Sequence, residues 1–284
     1  MIISIASGKG GTGKTTVAVN LALSLERVRF IDCDVEEPNA HLFLKPVITT
    51  REPVYISVPK VNRELCDYCG ICAEVCAYNV IAVIPQVAPL FFEHMCHGCG
   101  ACTLLCPRKA IYEVQKEIGH LEKGACGGLD FCSGTLDVGQ AMVVPLIKQA
   151  LKFAAAGNET VIIDAPPGTA CSMVAAVSKS DFCVLVTEPT PFGLNDLQLA
   201  IAVLKEVKVP FGVVINRSDL GDDKVEAYCR ESNIPVLMRL PFDREIATCC
   251  ANGTAFIHEK KEYVALFLEM FASIERLVAQ NAAS

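Results

Sequence analysis

The feature that most constrains this chain is a glycine-rich loop placed between an apolar strand and an apolar helix. The 284-residue sequence opens with MIISIA, a short apolar run typical of a buried parallel strand. The next segment, Gly8 to Thr15, reads GKGGTGKT and matches G-x-x-x-x-G-K-[ST] at every position. VAVNLALSL then carries apolar residues at helical spacing. A strand, a glycine loop and a helix in this order predict a phosphate-binding loop.

The residue types in this loop suit a nucleoside polyphosphate such as ATP or ADP. Glycines let the backbone wrap closely with its amides pointing inward, and the following helix adds the positive end of its dipole. Lys14 is expected to reach the terminal phosphates, the Thr15 hydroxyl to bind Mg²⁺, and Thr16 to contact the inner phosphate. The alternative is a glycine turn with a solvated lysine. The expected nucleotide contacts in this loop are Gly8, Gly10, Gly11, Thr12, Gly13, Lys14, Thr15 and Thr16.

The loop has a second lysine, Lys9, and this pattern resembles a known family. GKGGTGKTT is similar to the deviant Walker A loop of the MinD, ParA, Mrp and nitrogenase-iron-protein superfamily of dimeric ATPases. The resemblance implies that Lys9 crosses a two-fold interface to the partner's nucleotide. It also implies a homodimer with nucleotide at the interface and Mg²⁺-dependent ATP hydrolysis gated by assembly. A solvent-facing lysine is the alternative for Lys9.

Two further segments resemble the switch regions of that family. VRFIDCDVEEPN places Asp32, Asp34 and Asn39 in a D-x-D-x4-N pattern, which implies that Asp34 positions the attacking water and Asp32 supports Mg²⁺. TVIIDAPPGTA ends a second apolar strand at Asp164, which implies a water-mediated contact to Mg²⁺, while the Gly168 amide would sense the γ-phosphate. Helix capping is the alternative for aspartates at strand ends.

Later apolar runs extend the expected sheet and supply the base contacts. DFCVLVTEPTP and PFGVVINRSD each end in polar residues and precede helical spacing, as in a parallel sheet. Asn216 and Arg217 occupy the position at which the family contacts adenine. Residues 242–243 are expected to close over the base from the other side.

A cysteine motif occurs twice within the long stretch between the two switch segments. More than 120 residues separate the first switch strand from Asp164, which is more than one strand-helix unit requires. The motif C-x2-C-x2-C-x3-C recurs 30 residues later, so this part of the chain is an internal duplication. The eight cysteines are Cys66, Cys69, Cys72, Cys76, Cys96, Cys99, Cys102 and Cys106.

The spacing resembles that of a bacterial ferredoxin, in which three close cysteines bind one cubane and the fourth crosses to the other. The resemblance implies two 4Fe-4S clusters. The first would be bound by Cys66, Cys69, Cys72 and Cys106, and the second by Cys96, Cys99, Cys102 and Cys76. Zinc is the alternative, but a tetrahedral site has no use for a third cysteine at the same short spacing. Cys76 is followed by Ala77, where ferredoxins usually have proline. His94 and His97 flank Cys96, and they are expected at the surface rather than as Rieske-type cluster ligands.

Eight other cysteines form no C-x2-C pair, and several lie in apolar strands, where a thiol acts as a small hydrophobic side chain. We expect no metal-binding role for Cys249 and Cys250, which are neighbours in a predicted helix. The eight are Cys33, Cys126, Cys132, Cys171, Cys183, Cys229, Cys249 and Cys250.

Charge and hydropathy limit the possible partners. The net charge is -7, so nucleic acid and anionic membranes are unlikely targets, and no apolar run reaches the roughly 18 residues of a membrane span. The absence of a signal-peptide pattern at the start predicts a soluble, cytoplasmic protein. The last helix carries an apolar stripe and several glutamates, and it is expected to pack on the core rather than bind a membrane as in MinD.

The fold class that follows is α/β, a doubly wound, mainly parallel P-loop NTPase sheet with a small inserted α+β ferredoxin-like domain. The expected parts are an ATPase domain at 1–58 and 115–284 and a ferredoxin-like domain at 59–114. The expected function is a dimeric ATP-hydrolysing switch coupled to electron transfer with an unidentified partner. Two alternatives remain open: an iron-sulfur cluster carrier, or a ParA-like positioning protein with structural clusters. Carriers of this family typically use a C-x2-C in the ATPase part, and this sequence has none there.

Overall fold

The structure, a computed structural model, describes residues 1–84, 86–155 and 159–282. The strands are β1 Ile2–Ala6, β2 Val28–Asp32, β3 Val47–Val61, β4 Ile81–Ile84, β5 Val87–Phe91, β6 Ile111–Cys126, β7 Leu129–Leu136, β8 Thr160–Asp164, β9 Phe182–Thr187, β10 Phe211–Asn216 and β11 Val236–Leu240. The α-helices are α1 Lys14–Ser24, α2 Ala40–Leu44, α3 Ile71–Glu74, α4 Ala101–Leu104, α5 Val143–Ala150, α6 Cys171–Val177, α7 Pro191–Glu206, α8 Lys224–Glu231, α9 Arg244–Ala251 and α10 Glu262–Ala282. Short 3₁₀ helices cover Glu93–Met95, Leu151–Ala155 and Phe256–His258.

Nine strands form the main sheet, in the order β11-β10-β9-β1-β8-β2-β7-β6-β3. The run from β11 to β7 is parallel, whereas β6 pairs antiparallel with both β7 and β3. The central parallel strands are buried apolar runs because helices cover both faces of such a sheet. This confirms the predicted α/β fold with a mainly parallel sheet.

One face of the sheet is covered by α5, α6, α7 and α8. Leu146 of α5, Met173 of α6 and Leu197 of α7 are buried there against Ile31 and Ile163 of the strands. Each fully buried side chain of this size contributes about 1.5–3 kcal/mol from the hydrophobic effect.

The opposite face is covered by α1 and α10. Leu21 of α1 and Phe267 of α10 pack against Phe30 and Ile162. The residues next to Phe30 and Ile162 in the sequence point to the other face of the sheet, because side chains alternate along a strand. The predicted C-terminal helix therefore packs on the core. Among residues 1–84, 86–155 and 159–282, no helix is both long enough and apolar enough to cross a membrane.

The cysteine repeats lie between two long strands that also belong to the main sheet. β3 and β6 pair along their length, from Val47 opposite Ala125 to Val61 opposite Ile111. The repeats, the short helices α3 and α4, and a two-stranded sheet of β4 and β5 occupy the segment between them. The expected domain boundaries at 58/59 and 114/115 fall inside β3 and β6, so the cysteine-rich segment and the main sheet share these strands.

Candidate functional site

The phosphate loop follows β1 near the middle of the sheet, and the sheet order explains which residues surround it. β8 lies between β1 and β2, so the polar residues at the carboxyl ends of these three strands meet at one edge. Gly13 has a φ of 90°, and a Cβ there would lie 2.4 Å from Asn216 Nδ2. Glycine is therefore required at the start of α1 both by backbone conformation and by close packing.

Lys14 lies at the centre of this edge, buried among carboxylates. Its Nζ donates a hydrogen bond to Asp164 Oδ1 at 2.7 Å and lies 3.5 Å from Asp34 Oδ2. The Thr15 hydroxyl donates to Asp164 Oδ2 at 2.7 Å. Burial alone would lower the pKa of Lys14, but the charges of Asp164 and Asp34 outweigh it and raise the pKa above its usual value. Lys14, Thr15, Asp34 and Asp164 are thus brought together, as the sequence pattern requires.

Asp32 is fully buried below them. Its carboxylate accepts backbone N–H bonds from Asp34, Asn39 and Ala40 at 3.1, 3.2 and 3.1 Å. Burial, with the nearby Asp164 charge, raises the pKa of Asp32 to about 7 despite these bonds and the Lys14 charge. Asp32 therefore ties the backbone of the segment after β2 to the sheet edge, which fixes the position of Asp34.

An open cleft of about 1300 Å³ extends from the phosphate loop toward the carboxyl ends of β10 and β11. Phe242 and Asp243, which were expected to close over the base, line this cleft. Cys250 of α9 also lines it, with its Sγ 3.7 Å from the Thr16 hydroxyl oxygen. This contact could not be predicted from the sequence, because a pair of neighbouring cysteines does not indicate that α9 packs beside the loop.

Several expected nucleotide contacts are engaged within the protein itself. Asn216 Nδ2 donates to the Thr12 carbonyl at 2.8 Å, and the Gly168 amide donates to the Ser7 carbonyl at 2.9 Å. Arg217 Nη1 donates to Glu188 Oε1 at 2.6 Å. Gly168 has a φ of 91°, where glycine is favoured. These bonds must rearrange if the same groups are to contact a nucleotide.

Glu188, directly after β9, is a residue that the sequence analysis missed. It is only 8% exposed, and it contacts both Arg217 and Lys9, whose Nζ lies 3.7 Å from Glu188 Oε2. The sequence did contain a signal for this residue, because Glu188 is a charged residue directly after the apolar strand segment VLVT. The Glu188 carboxylate thus links Lys9 of the loop to Arg217, the expected contact to the adenine base.

The eight motif cysteines line two separate cavities, each built from both repeats. The first cysteine cavity is lined by Cys66, Cys69, Cys72 and Cys106. The second cysteine cavity is lined by Cys96, Cys99, Cys102 and Cys76. In each, three cysteines come from one repeat and the last cysteine comes from the other.

Backbone amides point at sulfurs in both cavities. The Val80 N–H donates to Cys76 Sγ at 3.5 Å and the Ala110 N–H donates to Cys106 Sγ at 3.3 Å. Burial raises the pKa of the Cys72 thiol. Across residues 1–84, 86–155 and 159–282, no three His, Cys, Asp or Glu side chains come close enough to hold a single metal ion.

Comparison with known proteins identifies the family. The CobQ/CobB/MinD/ParA nucleotide binding domain matches residues 3–256. The uncharacterized protein MJ0579 of Methanocaldococcus jannaschii is 30% identical, over 90% of this chain and 91% of the relative. An iron-sulfur cluster carrier protein of Pyrococcus horikoshii is 23% identical over 85% of this chain and 74% of its own.

Solved structures agree on the fold. The cell division ATPase MinD of Pyrococcus furiosus superposes with a TM-score of 0.59 at 22% identity, covering 97% of this chain and 98% of that protein. The chain therefore belongs to the CobQ/CobB/MinD/ParA nucleotide-binding family.

Proposed function

We propose that this member of the MinD/ParA family binds and hydrolyses MgATP as a homodimer, and that its nucleotide state is coupled to one-electron transfer through two 4Fe-4S clusters. The observation that carries the proposal is the pair of four-cysteine cavities beside β6. β6 is hydrogen-bonded to β7, and β7 is hydrogen-bonded to the segment that carries Asp34. Such clusters supply one-electron redox chemistry when bound.

The cysteine cavities suit a cluster better than a single ion. A tetrahedral zinc ion with Zn–S bonds of about 2.3 Å would draw its sulfurs to within about 4 Å of one another. A body of four irons and four sulfides is larger, so its ligands stand further apart around a cavity. Four sulfurs around each cavity, with N–H donors to Cys76 and Cys106, provide the ligands and the hydrogen bonds that such a group requires.

The loop edge provides the groups for nucleotide binding and hydrolysis. Lys14 would transfer its hydrogen bond from Asp164 to the β- and γ-phosphates, which frees that carboxylate. Thr15 and Asp164, whose side chains are hydrogen-bonded to each other, would then hold Mg²⁺ beside the phosphates, while the buried Asp32 would support the segment that carries Asp34. Asp34, only partly buried, can orient the attacking water.

Contacts that link the first switch segment through β7 to β6, which lies beside the cysteine cavities, support the coupling. The Leu136 N–H of β7 donates to the Val35 carbonyl at 2.8 Å, and a Cβ on Gly134 would lie 2.8 Å from Val35 Cγ1. Asp137, directly after β7, donates its N–H to the Ile118 carbonyl of β6 at 2.9 Å. A movement of Asp34 on nucleotide binding therefore has a short packed route to β6.

A second candidate function is delivery of iron-sulfur clusters. It is favoured by the relatives, since several are named iron-sulfur cluster carrier proteins. In this chain, however, the paired C-x2-C cysteines lie only in the two repeats.

The experiment that separates the two functions uses anaerobically purified full-length protein. We measure iron, sulfide and zinc, and then mix the protein with a cluster-free ferredoxin or with a one-electron donor and acceptor, with and without MgATP. The proposal predicts about eight irons and eight sulfides per chain, and these should stay bound during the assay. Electron transfer should depend on MgATP, and Lys14→Ala should abolish it. Transfer of iron and sulfide to the ferredoxin would favour the carrier, and zinc as the dominant metal would contradict both.

A further inference from the structure

The duplication places equivalent residues around the two cysteine cavities, so differences between the cavities can be read position by position. The backbone is alike: Val80 and Ala110 are equivalent, and both donate an N–H to the sulfur of the last cysteine in their repeat. The differences lie in the side chains.

Each cavity is lined by one pair of side chains that joins the two repeats. One member directly follows the first cysteine of a repeat, and the other lies two residues after the last cysteine of the other repeat. At the first cavity the pair is Asp67 and Arg108, an ion pair with Nε 2.7 Å from Oδ2. At the second cavity it is Tyr78 and His97, whose rings stack at 3.4 Å between centroids and 4° between planes.

A second difference concerns charge. Glu113 of β6 lines the second cavity, and its Oε1 would lie 3.1 Å from a Cβ on Gly100. The equivalent residue of the first repeat is Val83. The described residues that line the second cavity include no lysine or arginine, whereas Arg108 faces the first.

We propose that these side chains make the two clusters unequal, so that the cluster in the first cavity has the higher reduction potential and accepts an electron from the cluster in the second. The inference rests on the proposed function, because it requires both clusters. In the transfer one electron leaves the second cluster, which is oxidised, and reduces the first, with no change in atoms or protons. An external one-electron donor refills the second cluster.

The direction follows from charge and solvation. Reduction adds a negative charge, which the Glu113 carboxylate and an aromatic wall disfavour at the second cavity, whereas the first cavity is lined by a neutral pair because Asp67 offsets the charge of Arg108. The Gly98 N–H donates to Cys96 Sγ at 3.4 Å and acts in the opposite direction at the second cavity. A full charge outweighs one weak N–H···S bond.

The test is EPR-monitored redox titration of the anaerobic full-length protein and its variants. Wild type should show two couples. Glu113→Gln should raise only the lower one, and Arg108→Gln should lower only the upper one. Each should change the electron distribution between the clusters about tenfold, which is about 59 mV in a one-electron couple. Glu117→Gln on the same strand and Lys109→Gln beside Arg108 are matched controls that should leave both potentials unchanged.

A transplanted pair gives an independent test. Tyr78→Arg combined with His97→Asp places the ion pair at the second cavity and should bring the two potentials closer together. Equal potentials in wild type, or Glu113→Gln and Arg108→Gln moving the same couple, would overturn the inference while leaving both clusters in place. A wild-type protein without clusters would instead overturn the proposed function, and this inference with it.

Discussion

The Lys9 ammonium lies 3.7 Å from the carboxylate of Glu188 in the same chain. The same carboxylate accepts a 2.6 Å hydrogen bond from Arg217, which lines the cleft beside the loop. The lysine that family resemblance assigns to a partner's nucleotide is therefore paired within its own chain. A nucleotide base that draws Arg217 away would loosen this arrangement at Glu188.

Substitutions at the two ends of this pair should have opposite effects on assembly. Lys9→Ala should retain nucleotide binding but lose ATP-dependent dimerisation and hydrolysis. Glu188→Gln frees Lys9 from a partly exposed ion pair worth up to about 1 kcal/mol, so the dimer fraction at a given analogue concentration should rise by up to about fivefold. Light scattering with a non-hydrolysable ATP analogue measures both, with Lys179→Ala as a surface control. A normal dimer fraction and turnover in Lys9→Ala would exclude the role in the partner's site.

The two switch aspartates, the partly buried Asp34 and the fully buried Asp164, should have separable roles. Asp34→Ala should bind MgATP but hydrolyse it slowly and accumulate the dimer, because water positioning is lost while ground-state binding is kept. Asp164→Ala should weaken the dependence on Mg²⁺. Hydrolysis rates across a Mg²⁺ titration distinguish them, and Lys14→Ala, which should not bind nucleotide, gives the baseline. Identical Mg²⁺ profiles for the two aspartate variants would refute the division.

Nucleotide should protect Cys250 from alkylation. Its Sγ lies 3.7 Å from the Thr16 hydroxyl inside the cleft, so a bound phosphate or ribose should block access. Peptide mapping by mass spectrometry after anaerobic treatment with iodoacetamide, with and without MgADP, gives the rate at each cysteine. Cys171 is exposed and does not line the cleft, so its rate should not change. Equal Cys250 rates in both conditions would show that nucleotide binds elsewhere.

The contact between Gly134 and Val35 should control hydrolysis from outside the cleft. Gly134→Ala forces a Cβ to within 2.8 Å of Val35 Cγ1, which displaces the segment that carries Asp34. We expect nucleotide binding within about twofold of wild type and a hydrolysis rate lower by about tenfold or more, which is about 1.4 kcal/mol. Val35→Ala removes the clashing methyls, so the double variant should recover most of the rate. A double variant as slow as Gly134→Ala would show that the two residues act independently.

That Lys14, Asp34 and Asp164 lie together could be predicted from the sequence, for a physical reason. Lys14, Asp34 and Asp164 lie at or after the carboxyl ends of parallel strands, which lie at one edge of the sheet, and the adjacency of β1, β8 and β2 then brings them into contact. The grouping of the cysteines was implied by the resemblance to bacterial ferredoxins, and the clusters themselves stay a prediction.

Other features could not be predicted because they depend on packing between distant elements. The pairing of β3 with β6 extends through the expected domain boundaries, and no local pattern marks where the main sheet ends along these strands. Cys250 reaches the cleft, and Glu188 contacts Lys9 and Arg217, only because α9 and the end of β9 pack beside the loop. His97 is exposed, as expected, but its stacking on Tyr78 requires the fold of both repeats.

The most direct test of the central claim is the midpoint potential of the reduced clusters with and without MgATP, together with ATP affinity in the oxidised and reduced protein. Linkage requires the two effects to match: a shift of about 59 mV in a one-electron couple implies a tenfold change in affinity, or about 1.4 kcal/mol. We expect a shift of this order in wild type and none in Lys14→Ala. If the protein contains both clusters and has bound MgATP but the midpoint potentials stay the same, nucleotide state and electron transfer are not coupled.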